Sequence, residues 1–168
     1  MAPVGSSSTR PRRVVAVTGV RTTLGADLLR RLDEDATVAK VLALDIAPPA
    51  PRPGEAASDK VVYQRVDLTA PTVDSTLAAL LHEHAVDTLV HGAFLSHPTH
   101  ASEWAHELED VGTMHVFNAC AASGLRRVVM VSSTQVYGAH PLNPNFLTER
   151  AELRGHRDSR FINDRVRA

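Results

Sequence analysis

The stretch VVAVTGVRTTLG, residues 14–25, predicts a buried strand that turns sharply into a helix. Its first four residues form a continuous apolar run, which is typical of a strand covered on both faces. Gly19 and Gly25 hold the first and third positions of a G-x-x-G-x-x-G arrangement, and Thr22 holds the middle one. Such a turn can bring backbone N–H groups and a helix N-terminus towards an anion. Two glycines also suit an ordinary strand-to-helix turn, and the sequence leaves that alternative open.

Strand and helix patterns alternate along the rest of the chain. Apolar runs predict four further strands, at residues 40–46, 61–68, 87–93 and 126–133. Helical periodicity predicts helices after the glycine turn, at about 73–84, at about 101–123 and in the last residues up to 168, while the proline-rich segment 48–60 is a loop. The side chains predicted to face inward are Leu24, Leu28, Leu29 and Leu32 in the first helix, and Trp104, Leu108, Val111 and Phe117 in the third.

This alternation implies right-handed crossovers and a parallel sheet with helices on both faces. We therefore predict an α/β fold, a doubly wound parallel sheet of the Rossmann-like type. We assign residues 1–13 to a disordered tail and residues 14–168 to this one domain.

Candidate ligand-binding side chains fall at the carboxyl ends of the predicted strands, where open parallel sheets bind ligands. A carboxylate at Asp45 would accept hydrogen bonds from ribose hydroxyls and repel a 2′-phosphate, which favours NAD over NADP. Arg21, in the glycine turn, could instead offer a partner to that phosphate. Asp67 could accept a hydrogen bond from an adenine amino group. The alternative to a ligand-binding role is that Asp45 is simply a helix-cap or loop residue.

Composition excludes several classes of function. The net charge of −1 leaves no basic field for nucleic acid or an anionic membrane. The single cysteine, Cys120, excludes an internal disulfide, fits a reducing cytoplasm, and is predicted to pack within a helix. No apolar run approaches the roughly 20 residues that cross a bilayer. The histidines, among them His97, His100 and His106, form no compact pattern of metal ligands, so no metal site is predicted.

Together these features resemble the N-terminal half of an extended short-chain dehydrogenase/reductase of the NAD-dependent epimerase/dehydratase family. The resemblance spans about residues 14–168 and is carried by TGVRTTLG (18–25), KVLALDI (40–46), VDLT (66–69), LVHGA (89–93), VGTMHVFNAC (111–120) and VVMVSSTQVYG (128–138). It implies a bound NAD and chemistry on hydroxyl substrates, often nucleotide sugars. The cofactor contacts that the resemblance implies are Thr18, Gly19, Arg21, Thr22, Leu24, Gly25, Asp45, Asp67, Leu68, His91, Gly92, Ala93 and Arg165.

The catalytic part of the resemblance is incomplete. It implies that Ser133 hydrogen-bonds the substrate hydroxyl, and that a tyrosine and a lysine four residues apart follow it. Phe161 and Arg165 stand at those two positions, and the sequence contains no Tyr-x-x-x-Lys. Phe161 has no proton to exchange, and Arg165 keeps its proton at neutral pH. Both could equally be ordinary residues of an amphipathic helix, with His140 or His156 as weaker candidates for a base.

Three functions therefore stay open: an NAD-dependent enzyme with an unconventional base, a non-catalytic dinucleotide-sensing or scaffold domain, and a domain in which Thr22 has abolished cofactor binding. The resemblance also implies a sixth strand and a C-terminal substrate region that the chain lacks. A piece of a longer protein and a stand-alone degenerate domain both fit this length, and the end of the chain within the last predicted helix favours the piece. The resemblance also implies a homodimer formed through two long helices.

Overall fold

The computed structural model describes residues 12–50, 58–95 and 102–155. Several sequence predictions lie outside these residues: the last helix with Phe161 and Arg165, most of the N-terminal tail, and His97, His100 and His156.

Five parallel strands of the described residues form one sheet, in the order β3-β2-β1-β4-β5. They are β1 (Arg13–Thr18), β2 (Val38–Asp45), β3 (Val61–Arg65), β4 (Thr88–His91) and β5 (Arg127–Met130). Val17 of β1 pairs with Ala43 of β2 on one side and with Val90 of β4 on the other. The strands β2 and β3 lie on one side of β1, and β4 and β5 lie on the other. The connections that leave β1 and β4 therefore run in opposite directions, which opens a crevice at the carboxyl ends of these two strands.

Helices cover both faces of this sheet. They are α1 (Thr23–Glu34), α2 (Val73–Glu83), α3 (Ser102–His106) and α4 (Gly112–Ser123), with a π-turn (Glu107–Val111) between α3 and α4 and a 3-10 helix at Thr134–Tyr137. None of the described helices is long and apolar enough to cross a membrane.

Successive side chains of the central strands point to opposite faces of the sheet, so the core has two halves. Val15 and Val17 of β1 pack in the cluster that contains Leu29 of α1. Ala16 packs in the opposite cluster, together with Leu77 of α2 and residues of α4. The predicted doubly wound α/β fold is confirmed.

The orientation of the third predicted helix differs from the prediction. Trp104 and Phe117 were expected in the core, but they are 48% and 36% exposed. The buried positions of α4 include Thr113, Val116 and Cys120 instead. A π-turn contains more residues than a turn of α-helix, so it rotates the faces before and after it relative to a continuous 3.6-residue period. The expected packing of Cys120 is confirmed.

Two smaller differences concern exposed positions. Leu24 was expected to face the core but is 56% exposed, because it lies in the first turn of α1 at the mouth of the crevice. The fifth strand is shorter than predicted and lies at the edge of the sheet, where Val128 and Val129 are partly exposed.

Candidate functional site

The glycine turn between β1 and α1 leaves no room for side chains at Gly19 and Gly25. Gly19 has a φ of +74°, in the left-handed region, and a Cβ there would collide with the backbone of Gly92. A Cβ on Gly25 would collide with the carbonyl oxygen of Gly19. Both glycines are therefore required by close backbone approach, between two strand ends and across the turn itself.

Thr22 caps the N-terminus of α1 from the middle position of the glycine pattern. Its hydroxyl oxygen accepts a hydrogen bond from the N–H of Gly25 at 3.0 Å and donates to the carbonyl oxygen of Gly19 at 2.8 Å. The backbone of Thr22 has a φ of −69°, which any residue adopts without strain. The hydroxyl is thus directed into the turn, and the residue itself borders the crevice.

The first groove of the crevice has a volume of about 410 Å³ and crosses the carboxyl ends of β1, β2 and β4. The structure brings together here eight of the residues predicted to contact a cofactor: Thr18, Gly19, Arg21, Thr22, Asp45, Asp67, Leu68 and Ala93.

The two carboxylates of the first groove are anchored by backbone groups. Asp45 accepts hydrogen bonds from the N–H of Arg21 at 3.1 Å and from the N–H of Ile46 at 2.8 Å. One oxygen of Asp67 accepts from the N–H and the hydroxyl of Thr69, at 3.0 and 2.7 Å. Since an ionised carboxylate has about four lone-pair sites, both side chains can still accept hydrogen bonds from a ligand.

His91 lies beneath the strand ends and lines neither groove. Its Nδ1 is 2.7 Å from the Thr18 hydroxyl, and its Nε2 is 3.0 Å from the Thr113 hydroxyl. Burial lowers the pKa of His91 to about 4, so the ring is neutral at physiological pH. The Thr18 hydroxyl also accepts from the N–H of Gly92 at 3.2 Å. The side chain of His91 therefore joins β1, β4 and α4.

The second groove lies beside the first and has a volume of about 580 Å³. Leu24, Gly92, Ser132, Ser133 and Gln135 line it, and Arg21 and Thr22 are shared with the first groove. The Ser133 hydroxyl accepts from the N–H of Gln135 at 3.3 Å, which caps the 3-10 helix. The predicted substrate serine and the predicted cofactor turn are thus neighbours along one crevice.

Other predicted candidates lie elsewhere. Gly25 lines neither groove, because it is packed inside the turn. His140 is exposed and accepts a hydrogen bond within its own loop, from the N–H of Leu142. Burial raises the pKa of Cys120 to about 11, which disfavours its reactive thiolate. Among the described residues, no group of three or more potential metal ligands converges.

Sequence reasoning missed the apolar side of the first groove. Phe94, Leu95, Trp104 and Leu108 line it, and Ile46 faces them from the end of β2. The signal in the sequence is that Trp104 and Leu108 lie one helical turn apart. This spacing predicted a row of side chains that faces the core. Such a pair can line a ligand groove equally well, because periodicity reports which residues share a face and not what covers it.

Known proteins share the sequence pattern and the fold of this chain. The sequence model of the NAD dependent epimerase/dehydratase family matches residues 15–158. An uncharacterized protein of Mycobacterium tuberculosis (strain H37Rv) is 34% identical over 149 residues, which cover 84% of this chain and 37% of that protein. An uncharacterized protein of Mycobacterium bovis shows the same identity and coverage. The chain thus spans well under two thirds of the length of these relatives.

Solved structures with the same fold include the Bordetella bronchiseptica enzyme WbmH in complex with NAD+, with a TM-score of 0.77 and 16% identity over 93% of this chain and 50% of that one. DesIV, a dTDP-glucose 4,6-dehydratase from Streptomyces venezuelae with NAD and TYD bound, has a TM-score of 0.73 and 24% identity over 92% of this chain and 48% of that one. Uronate dehydrogenase from Agrobacterium tumefaciens has a TM-score of 0.70 and 20% identity over 94% of this chain and 53% of that one. The family match over most of the chain, on this sheet order and this glycine turn, shows that the protein belongs to the NAD dependent epimerase/dehydratase family.

Proposed function

We propose that this chain is the NAD-binding domain of an epimerase/dehydratase-type oxidoreductase that acts on hydroxyl-bearing substrates such as nucleotide sugars. One observation carries the proposal. The Gly19–Gly25 turn, Asp45 and Asp67 lie along a single groove at the carboxyl ends of the strands. The cofactor is the one named for the family and found in the solved relatives.

The pyrophosphate and the adenosine half of the dinucleotide have matching groups in the first groove. The pyrophosphate would lie at the N-terminus of α1, where free backbone N–H groups and the helix dipole favour an anion. Asp45 would accept from the adenosine ribose, and Asp67 would accept from the adenine amino group. The apolar side of the groove, with Leu68 and Leu108, would cover the faces of the base.

The charges favour NAD over NADP. Asp45 would hold a negative charge against the ribose hydroxyls, and a 2′-phosphate at that position would meet like charge. Arg21 opposes this preference, since its guanidinium borders the same groove. Its backbone N–H, however, donates to Asp45 and holds the carboxylate where the ribose hydroxyls would lie.

The second groove would take the substrate. The Ser133 hydroxyl already accepts one hydrogen bond, so its own proton remains free to bind a substrate oxygen. A bound NAD would supply hydride transfer, and the two grooves meet at a boundary of shared residues that includes Arg21 and Leu95. The chain's own contribution is to orient the substrate hydroxyl towards that boundary with Ser133.

Titration calorimetry and thermal unfolding with NAD, NADH and NADPH test the proposal directly. We expect saturable binding with NAD preferred, and about 2.7 kcal/mol of added stability at 100-fold excess over the dissociation constant. Asp67→Asn is a suitable site variant, because it keeps an acceptor for Thr69 while removing the charge. A folded chain that shows no saturable binding of any of these dinucleotides would refute the proposal.

A second function is supported by the residues at the expected acid–base positions. The sequence contains no Tyr-x-x-x-Lys, and Phe161 and Arg165 replace the pair. A domain that binds NAD without turnover, as a sensor or scaffold, would need neither side chain. Substrate-dependent NADH formation by the full-length protein, lost in Ser133→Ala, would favour the enzyme. Binding without turnover, with weak activity gained only in Phe161→Tyr with Arg165→Lys, would favour the sensor.

A further inference from the structure

A buried carboxylate outside the predicted site contacts the wall of the first groove. Glu109 is 1% exposed and lies in the π-turn between α3 and α4. Its Oε1 accepts a hydrogen bond from the backbone N–H of Leu95 at 2.6 Å. A buried backbone N–H is costly to leave without an acceptor, so this hydrogen bond holds the position of Leu95.

Leu95 belongs to a wall that serves both grooves. Ala93, Phe94 and Leu95 follow β4 directly, and all three line the first groove. Phe94 and Leu95 also line the second groove. The bond to Glu109 therefore fixes the backbone at the boundary between the proposed cofactor and substrate positions.

The same helical segment also contacts another part of the first groove. A Cβ on Gly112 would lie 3.2 Å from the Cβ of Leu68, so the start of α4 packs tightly against this groove residue. Leu108, next to Glu109 in the π-turn, lines the first groove itself. Residues 107–112 thus connect the segment after β3 to the segment after β4.

Two glutamates of the π-turn differ in burial. Glu107 and Glu109 are close in sequence, but Glu107 is exposed while Glu109 is buried. Burial of a carboxylate is costly unless hydrogen bonds compensate it. π-turns are frequently found at functional sites, where they redirect a single side chain.

We propose that Glu109 is a positioning residue that holds the Ala93–Leu95 wall in its ligand-binding conformation. It acts by accepting the Leu95 N–H and does not touch the ligand. The identity of the ligand, NAD, rests on the proposed function, but the action of Glu109 on the wall does not.

Three variants of the whole chain separate this role from general stability. Glu109→Ala removes the acceptor, Glu109→Gln retains a neutral one, and Glu107→Ala is the matched control on the exposed side of the same turn. The readouts are amide hydrogen exchange of Leu95 in the ligand-free protein and the NAD dissociation constant from calorimetry. We expect Glu109→Ala to raise the exchange rate of the Leu95 amide and the NAD dissociation constant by roughly tenfold or more, as expected when a buried N–H loses its acceptor. Glu109→Gln should remain near wild type in both, and Glu107→Ala should be unchanged.

The outcomes are distinct. The proposal would be overturned if the Leu95 amide of Glu109→Ala exchanged at the wild-type rate. It would also be overturned if the Leu95 amide of Glu109→Gln exchanged as fast as that of the alanine variant. If Glu109→Ala does not fold, Glu109→Gln decides alone: protection of the Leu95 amide supports the role and its loss overturns it. If wild type binds no NAD, the proposed function fails, and Leu95 exchange still decides the role of Glu109.

Discussion

The hydroxyl of Thr22 takes the hydrogen bond of the Gly25 N–H, at 3.0 Å, inside the turn that would face a pyrophosphate. A threonine therefore occupies the middle glycine position without a left-handed backbone, and it serves as the N-cap of α1. Its effect on the turn is stabilising, because a hydroxyl cap satisfies one of the N–H groups that a helix leaves unpaired at its start.

We expect Thr22→Val to lower the free energy of unfolding by about 1 kcal/mol, since valine keeps the shape but cannot cap the helix. Thr22→Ser should remain near wild type. Urea denaturation of the two variants checks this expectation. Equal stability of both variants would show that the cap contributes nothing.

Asp45 is expected to control the choice between NAD and NADP. Asp45→Asn keeps an oxygen that can accept from the Arg21 N–H but removes the charge that repels a 2′-phosphate. The ratio of NADP to NAD dissociation constants should fall by about tenfold, equivalent to about 1.4 kcal/mol. Calorimetric titration with both dinucleotides measures the ratio.

Arg21→Ala provides the opposing control for that experiment. It removes the guanidinium but leaves the backbone N–H that holds Asp45. NADP binding should weaken while NAD binding is retained. An unchanged ratio of NADP to NAD dissociation constants in both variants would mean that these two side chains do not discriminate at the 2′ position of the ribose.

His91 should make stability depend on pH. Burial lowers its pKa in the folded chain from 6.5 to about 4. As the pH falls below about 6.5, the unfolded chain binds a proton that the folded chain excludes, so stability decreases down to about pH 4. The full loss is about 3 kcal/mol.

Urea denaturation between about pH 7 and pH 4 measures this dependence. His91→Asn should remove most of it, although its stability at neutral pH will be lower because the contacts to Thr18 and Thr113 are altered. His140→Asn, at an exposed position, is the matched control and should keep the wild-type dependence. If the free energy of unfolding of His91→Asn depends on pH as strongly as that of wild type, His91 is not the group responsible.

Trp104 is the single tryptophan of the chain, and it borders the first groove half-exposed. A dinucleotide in this groove would change the surroundings of the indole ring, so NAD should alter its fluorescence saturably. Trp104→Phe should abolish the signal while calorimetric binding persists. Calorimetric binding by wild type without any change in fluorescence would locate the ligand away from Trp104.

The local sequence was sufficient for the order of strands and helices and for much of the site. Apolar runs and helical periodicity are local properties, and parallel strands joined by helices have few possible arrangements. Residues at the carboxyl ends of such strands must meet at one edge of the sheet. For that reason chain order alone places Gly19, Asp45, Asp67 and Ala93 at this edge, and all four line the first groove.

Tertiary packing decided which side chains are buried and which line the grooves, and the local sequence pattern could not. Trp104 lines the first groove and Glu109 is buried, although helical spacing had placed Trp104 in the core. Thr18 and Thr113, which are distant from it in the sequence, hydrogen-bond the His91 side chain beneath the groove. These outcomes depend on contacts between residues far apart in the chain. The sequence by itself determined which residues reach the edge of the sheet, whereas the packing of α3, the π-turn and α4 against that edge decided which of them face a ligand.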